Sequence, residues 1–322
     1  MTFNLTVSRL LRLVVLACAM AGGQAGQPQP AKATLPDTPA SSPRDFITMP
    51  GGTNAVQLRL YTNASQEAHG LFNSIELEAY GQRLLQSPGG ESVQRWLAAS
   101  TNNAALHQIL INRHGPALAH TNHMKVVEEA SGPQWRYLAL DATAAYRDRV
   151  EQYRRAILFV EPDLFVLYDQ IVAKAPSHFQ IFLHPPAATS VDDIWRDLRL
   201  ELPKAGFRIH APGTKGMLRS WQRVTSPADT LLPGTVTMEL GPTNKLARLD
   251  LITVLAVSRG GENRDYAFKL LESNTAVGAR IHREGWPTLV AFRTDPANLS
   301  SSLTGFGFNG PVGVDVFRPK HR

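Results

Sequence analysis

Cysteine is almost absent: the 322 residues contain one, Cys18. It falls inside a segment that reads as an export address, so the mature chain is expected to hold no disulfide and to depend on core burial for stability. Long apolar runs are missing too. The stretch over residues 13–21 is far shorter than the roughly 20 residues a spanning helix needs, which argues against a membrane span. No block of three or more consecutive Lys or Arg occurs, and the basic residues that gather are spread through turns and strands, which is not the signature of a nucleic-acid module. No fixed-period repeat is present, which argues against a propeller or solenoid. Neither a G-x-S-x-G elbow, a P-loop nor an H-E-x-x-H helix is found, which removes the commonest hydrolase, nucleotide and zincin chemistries. Helical periodicity is scarce as well. Residues 91–99 hold it best, and they are few.

What is present begins with the address. Arg9 and Arg12 precede the short apolar stretch, and small residues at Ala19 and Ala21, or Gly23 and Ala25, offer cleavage sites of the A-x-A kind. Cys18 with Val15, Leu16 and Ala17 also fits a lipidation site, but the apolar run ahead of it is short for that, and soluble export to the periplasm or medium is the favoured reading. A Pro-rich stretch follows with too few apolar residues to fold. The expected organisation is a signal peptide at 1–26, a linker at 27–44, one folded domain at 45–317 and a basic tail at 318–322. Lys and Arg number 33 against 27 Asp and Glu, a formal charge of +6, which favours an anionic partner, although ordinary basicity of exported proteins explains it equally well.

Beyond the linker the pattern is strands and turns. Alternation or short apolar runs cover residues 55–61, 74–80, 108–112, 125–128, 135–140, 179–184, 198–202, 235–240, 249–258, 267–271, 279–283, 288–293 and 312–317, with Gly, Pro, Asn and Asp clusters between them. "YRRAILFVEPDLFVLYDQI", residues 153–171, holds two dense apolar runs hinged on Glu161-Pro162-Asp163. Runs so short and so rich in β-branched and aromatic residues predict a hairpin covered on both faces. Its second strand ends on Asp169, a carboxylate that must find donors, and Arg154 or Arg155 is the available partner, so a structural role is expected for it. The fold class predicted is all-β, a large antiparallel sandwich.

The residues also resemble a family. "YLALDATAAYRDRVEQYRRAILFVEPDLFVLYDQI", residues 137–171, closely resembles the C-terminal β-sandwich of heparinase II/III-type polysaccharide lyases, where D-A-(T/S)-x-x-Y leads through an Arg to an apolar strand, a K-P-D-like turn and a strand ending in Asp. "QIFLHPP" looks like the strand that carries that family's His after the hairpin. "AHGLFNSIELEAYGQRLLQSPGG", residues 68–90, resembles its H-x-H-x-D-x-x-S-F-x-L-x-x-x-G-x-x-L-L-x-D-x-G segment, and "ALHQILINRHGP", residues 105–116, its A-H-N-T-V-L-V-N-G-x-G-Q segment. The resemblance covers most of residues 45–317 and implies a lyase-type supersandwich acting on, or binding, acidic uronic-acid polysaccharide.

Carried over one residue at a time, the family's functional set survives only in part. Glu67 stands at its leading His, His69 keeps the second, and Leu71 replaces the Asp. Ser87 replaces the later Asp that helps hold a structural metal, and Leu106 stands at the next His, with His107 one position off. A neighbour shifted by one along a strand points to the opposite face, so the inherited zinc site is read as lost and no cofactor is expected; a site rebuilt from Glu67, His69 and His107 is the alternative. The lyases resembled also carry an N-terminal helical toroid that supplies much of the catalytic set, and no such region is read here. Two hypotheses follow. One is an exported sandwich that binds acidic polysaccharide or docks to a lyase-like partner chain; the other is an autonomous lyase using Glu67, His69, His107 and Tyr80, with a non-catalytic envelope scaffold as a third reading. For substrate binding, Arg196, Arg219 and Arg223 with Trp221 could join guanidinium donors to a stacking plane, the alternative being a Trp in the core and a solvated charged rim. His114, His120 and His123 form a further cluster that surface histidines in a turn explain as well.

Overall fold

Alternating and doubly apolar runs become strands throughout the structure, a computed structural model that describes residues 46–50, 55–62, 72–87, 107–116, 124–192, 197–211, 221–225, 232–262, 266–283 and 287–316. The first four strands, β1 (Phe46–Pro50), β2 (Val56–Tyr61), β3 (Ile75–Ala79) and β4 (Gln82–Leu85), pair in that order. Next come β5 (Ile109–Ile111), β6 (Lys125–Gly132), β7 (Trp135–Asp141), the helical turn α1 (Thr143–Tyr146), β8 (Val150–Val160), β9 (Leu164–Ser177) and β10 (Phe179–Leu183). The middle is completed by β11 (Ser190–Asp192), β12 (Asp197–Glu201), β13 (Ala205–His210), β14 (Gln222–Val224), β15 (Thr237–Leu240) and β16 (Leu246–Arg259). Six more close the chain: β17 (Tyr266–Glu272), β18 (Ala276–Arg283), β19 (Thr288–Arg293), β20 (Ser300–Leu303), β21 (Phe306–Asn309) and β22 (Val312–Val316).

An eight-stranded sheet ordered β11-β12-β13-β16-β9-β8-β7-β6 forms the centre, and its long strands pair antiparallel. Side-chain alternation divides its two faces between two cores. Ile157, Phe159, Phe165 and Leu167 face a core completed by the β1–β4 sheet and by the sheet ordered β14-β15-β10-β5, with Leu58, Leu77, Ile181 and Met238 among its residues. Ala156, Leu158, Leu164 and Val166 face the other, completed by Ile281, Val290 and Phe292 of the β17-β18-β19-β22 sheet. The β8–β9 hairpin is thus apolar over Ala156–Val160 and Leu164–Tyr168 because neither face of those runs meets water, as their unbroken apolar character predicts. Each large side chain fully buried there contributes about 1.5–3 kcal/mol. The molecule is an all-β antiparallel sandwich of stacked sheets. Among the described residues, no helix is long and apolar enough to cross a membrane.

Asp169 finds its donors across the hairpin. Arg155 is its register partner, with Nε donating to Oδ1 at 2.6 Å and Nη2 to Oδ2 at 3.1 Å, while the Tyr153 hydroxyl donates to Oδ1 at 2.9 Å. The remaining Arg155 nitrogen reaches the Asn73 carbonyl at 2.7 Å, which ties the central sheet to the β2–β3 connection. Arg154 points to the opposite face and meets Glu128 and Tyr137, where Arg293 also reaches Glu128 at 2.5 Å. Strand β9 runs on to Ser177, so Asp169 sits in mid-strand and not at its end. The Glu161-Pro162-Asp163 hinge is closed by Arg283, which donates to the Asp163 carboxylate at 2.6 Å and the Glu161 carbonyl at 2.9 Å. The D-A-T-x-x-Y stretch serves the fold too: Thr143 Oγ1 accepts from the Tyr153 N–H, and the buried Tyr146 donates to the Ile109 carbonyl.

Candidate functional site

His107 lies just before β5 and His184 just after β10, and because these strands pair antiparallel the two imidazoles come together, 5.2 Å between ring centroids. Both are buried. The His184 backbone N–H donates to His107 Nδ1 at 3.0 Å, so Nδ1 carries a lone pair and the ring proton sits on Nε2, which donates to the Gln86 carbonyl at 2.9 Å. Burial first, and the neighbouring His184 second, hold the His107 pKa well below the usual imidazole value. Thr237 Oγ1 lies 3.2 Å from His184 Nδ1, and the hydroxyls of Ser74 and Ser87 bond each other at 3.0 Å. This neutral ring, with both nitrogens engaged, is poorly suited to take a substrate proton or to bind a metal. Among the described residues no three His, Cys, Asp or Glu side chains converge as metal ligands.

Tyr80 is elsewhere. It forms the β3–β4 turn with Gly81, at φ of +51° and +74°, and the Arg259 guanidinium lies 5.2 Å from its ring centroid. The turn stands at one end of β4 and Gln86, the partner of His107, beyond the other, about 20 Å along the strand at roughly 3.3 Å per residue. The structure therefore does not bring Tyr80 and His107 into one site. Glu67, His69, Arg196 and Arg219 lie outside the described residues, as do Leu71, Leu106, His120 and His123. Trp221 is 3% exposed and packs into the core, so it offers no stacking plane to a sugar, which corrects the surface role expected for it. Arg223 is exposed, and strand alternation turns it to the face of the sheet opposite Gln222.

The sequence reading missed a groove. At one end of the β14-β15-β10-β5 sheet a cleft of about 430 Å³ is lined by Arg113, His178, Gln180, Gln222, Glu239 and Lys245, among others. Gln222 pairs with Glu239 across β14 and β15, and Gln180 Nε2 donates to Glu239 Oε1 at 2.9 Å, so these polar side chains share the outer face. The available signal was the Asn112-Arg113 dipeptide, where the resembled segment has Asn-Gly.

No family model matches the sequence, and no curated protein matches it either. Solved structures do match in fold. Heparan sulfate lyase HepC from Pedobacter heparinus superposes with a TM-score of 0.63 at 11% identity, over 80% of this chain and 42% of that one. A heparinase III matches with a TM-score of 0.57 at 14% identity, over 77% of this chain and 41% of its own. A second heparinase III gives a TM-score of 0.60 at 13% identity, over 80% and 43%. The chain thus has the β-sandwich fold present in these lyases and spans 41–43% of their length.

Proposed function

We propose that this chain is an exported sandwich that binds acidic, uronic-acid-containing polysaccharide and forms one wall of a cleft, with a lyase-like partner chain supplying the rest, and that it is not a complete lyase alone. The observation that supports this reading is the shared fold with heparan sulfate lyase HepC and heparinase III over about four fifths of the chain. Elimination from a uronic acid needs a group to neutralise the carboxylate, a base for the C5 proton and an acid for the leaving oxygen, all converging on one cleft. His107 is buried with both nitrogens engaged, and Tyr80 stands at the far end of β4. The proposal includes the division into signal peptide, linker, sandwich and basic tail, and a chain with no resident zinc.

The purified protein, incubated with a panel of uronic-acid polymers, is expected to be retained on them and to release no unsaturated product absorbing near the ultraviolet edge. Elemental analysis of the same preparation should find well under one zinc per chain. Product made by the chain alone and lost in His69→Ala would establish the autonomous lyase instead, and retention on no polymer would leave the envelope scaffold.

A further inference from the structure

Strand β5 turns back on itself through Asn112 and Arg113, with backbone hydrogen bonds in both directions between Ile111 and His114, at 2.9 and 3.1 Å. A two-residue loop closed in this way with φ of +53° and +67° is a type I′ turn. Its second central position favours glycine, because an L side chain in the left-handed region crowds the following carbonyl. Arginine holds it here. Asn112 fastens the turn to the β9–β10 junction: Nδ2 donates to Ser177 Oγ at 3.1 Å, Oδ1 accepts from the His178 N–H at 2.9 Å, and its own N–H donates to the His178 carbonyl at 2.8 Å. Strain that the surroundings hold in place, and that sets a cation on the wall of a groove, points from geometry to binding.

The other walls agree. Lys245 lines the same groove as Arg113, giving two positive charges against the one carboxylate of Glu239, which Gln180 engages, and His178 stands on the same wall. Gln180 Oε1 is shielded from solvent and has no hydrogen-bond partner among the described residues, while Gln222 is exposed beside it. Amides and a carboxylate suit hydroxyls that both donate and accept, and a guanidinium fork suits a carboxylate or sulfate. The volume of about 430 Å³ lies in the range of small-ligand clefts. A protein partner would look for an aromatic or apolar anchor, and the aromatic residue of this lining, Phe179, is 1% exposed.

We infer that this groove is a subsite for an anionic saccharide, with Arg113 and Lys245 on the carboxylate or sulfate and Gln180, Gln222 and Glu239 on ring hydroxyls. The inference rests on the reading of the chain as an acidic-polysaccharide binder.

The test measures affinity of the full chain for polygalacturonate, for heparan sulfate and for neutral dextran at two salt concentrations, alongside thermal unfolding. Arg113→Gly is expected to weaken binding to the acidic polymers about tenfold, the value of one charge-assisted contact, while raising the unfolding midpoint because the turn relaxes. Lys245→Ala should weaken binding similarly without that rise, and Lys269→Ala, an exposed cation on the β17-β18-β19-β22 sheet away from the groove, should leave it unchanged. Loss on polygalacturonate alone assigns the pocket to a carboxylate, and loss on heparan sulfate alone to a sulfate. If the Arg113→Gly/Lys245→Ala double variant binds as tightly as wild type, the groove is not the subsite and the broader function stands. Wild-type protein that binds neither acidic polymer, or dextran as well as either, overturns both. Displacement by an acidic peptide but not by an acidic oligosaccharide would make the groove a protein-docking site and sink the saccharide assignment.

Discussion

Arg155 and Asp169 have side chains 4% and 3% exposed, so each charge has given up water and depends on the other. Two parallel hydrogen bonds, a phenol whose own ionisation burial suppresses and the Asn73 carbonyl complete the arrangement. Removing one partner strands the other in low dielectric. Asp169→Ala is expected to cost about 3–5 kcal/mol in urea denaturation, whereas an exposed pair such as Arg199 and Glu201, 3.9 Å apart, should be worth under about 1 kcal/mol. A loss below about 1 kcal/mol for Asp169→Ala would refute its role as a fastener. His107 makes a second test at this scale, in pH. Its folded pKa lies below its unfolded value near 6.5, so the unfolded chain binds the extra proton and the stabilisation present above about pH 6.5 is lost as pH falls. Wild type should lose up to about 1.4 kcal/mol more per pH unit below 6.5 than His107→Gln does. Equal slopes for the two proteins would contradict the buried neutral ring.

At the scale of elements, strands that bury one whole face or both were legible in the sequence, because burial leaves a period of two or an unbroken apolar run. The β8–β9 hairpin, β16 and β18–β19 announce themselves so. Strands such as β4, β11, β14, β20 and β21 are three or four residues long, too short for a period to show, and β13 was missed at six. Their formation is decided by partners: β13 is drawn in by β12 on one side and β16 on the other. Site residues were harder to read. That Asp169 needed an arginine followed from charge alone, but the choice of Arg155 over Arg154 follows from register, which sends the two to opposite faces. Trp221 illustrates the same limit, since an aromatic among basic residues has one sequence and two possible faces. The groove joins residues from four separate stretches, 112–113, 178–180, 222 and 239–245, beyond what spacing along the chain can encode. Its one local trace, the Asn112-Arg113 turn, carries a stability signature: Arg113→Gly removes a left-handed strain of about 1–2 kcal/mol and returns about half of it as unfolded-chain entropy, a net gain of about 0.5–1 kcal/mol.

For the whole molecule, the central sheet sets how the chain comes apart. Both large cores are built on β7, β8, β9 and β16, whose side chains alternate between them, so exposing one core strips half the cover from each of these shared strands. Cuts within the sandwich are therefore not expected to release a stable half, even though β17–β22 follow the central strands in sequence as a block. Cleavage is instead expected in the Pro-rich stretch ahead of Asp45, whose sequence offers few apolar residues to build a core. Limited proteolysis is expected to trim the chain to one fragment beginning near Asp45 and ending close to Phe317, and that fragment should unfold in a single transition seen alike by tryptophan fluorescence and far-ultraviolet circular dichroism. Two stable fragments of similar size, or two resolved transitions, would show that the cores fold independently and that the sheet shared between them does not couple them.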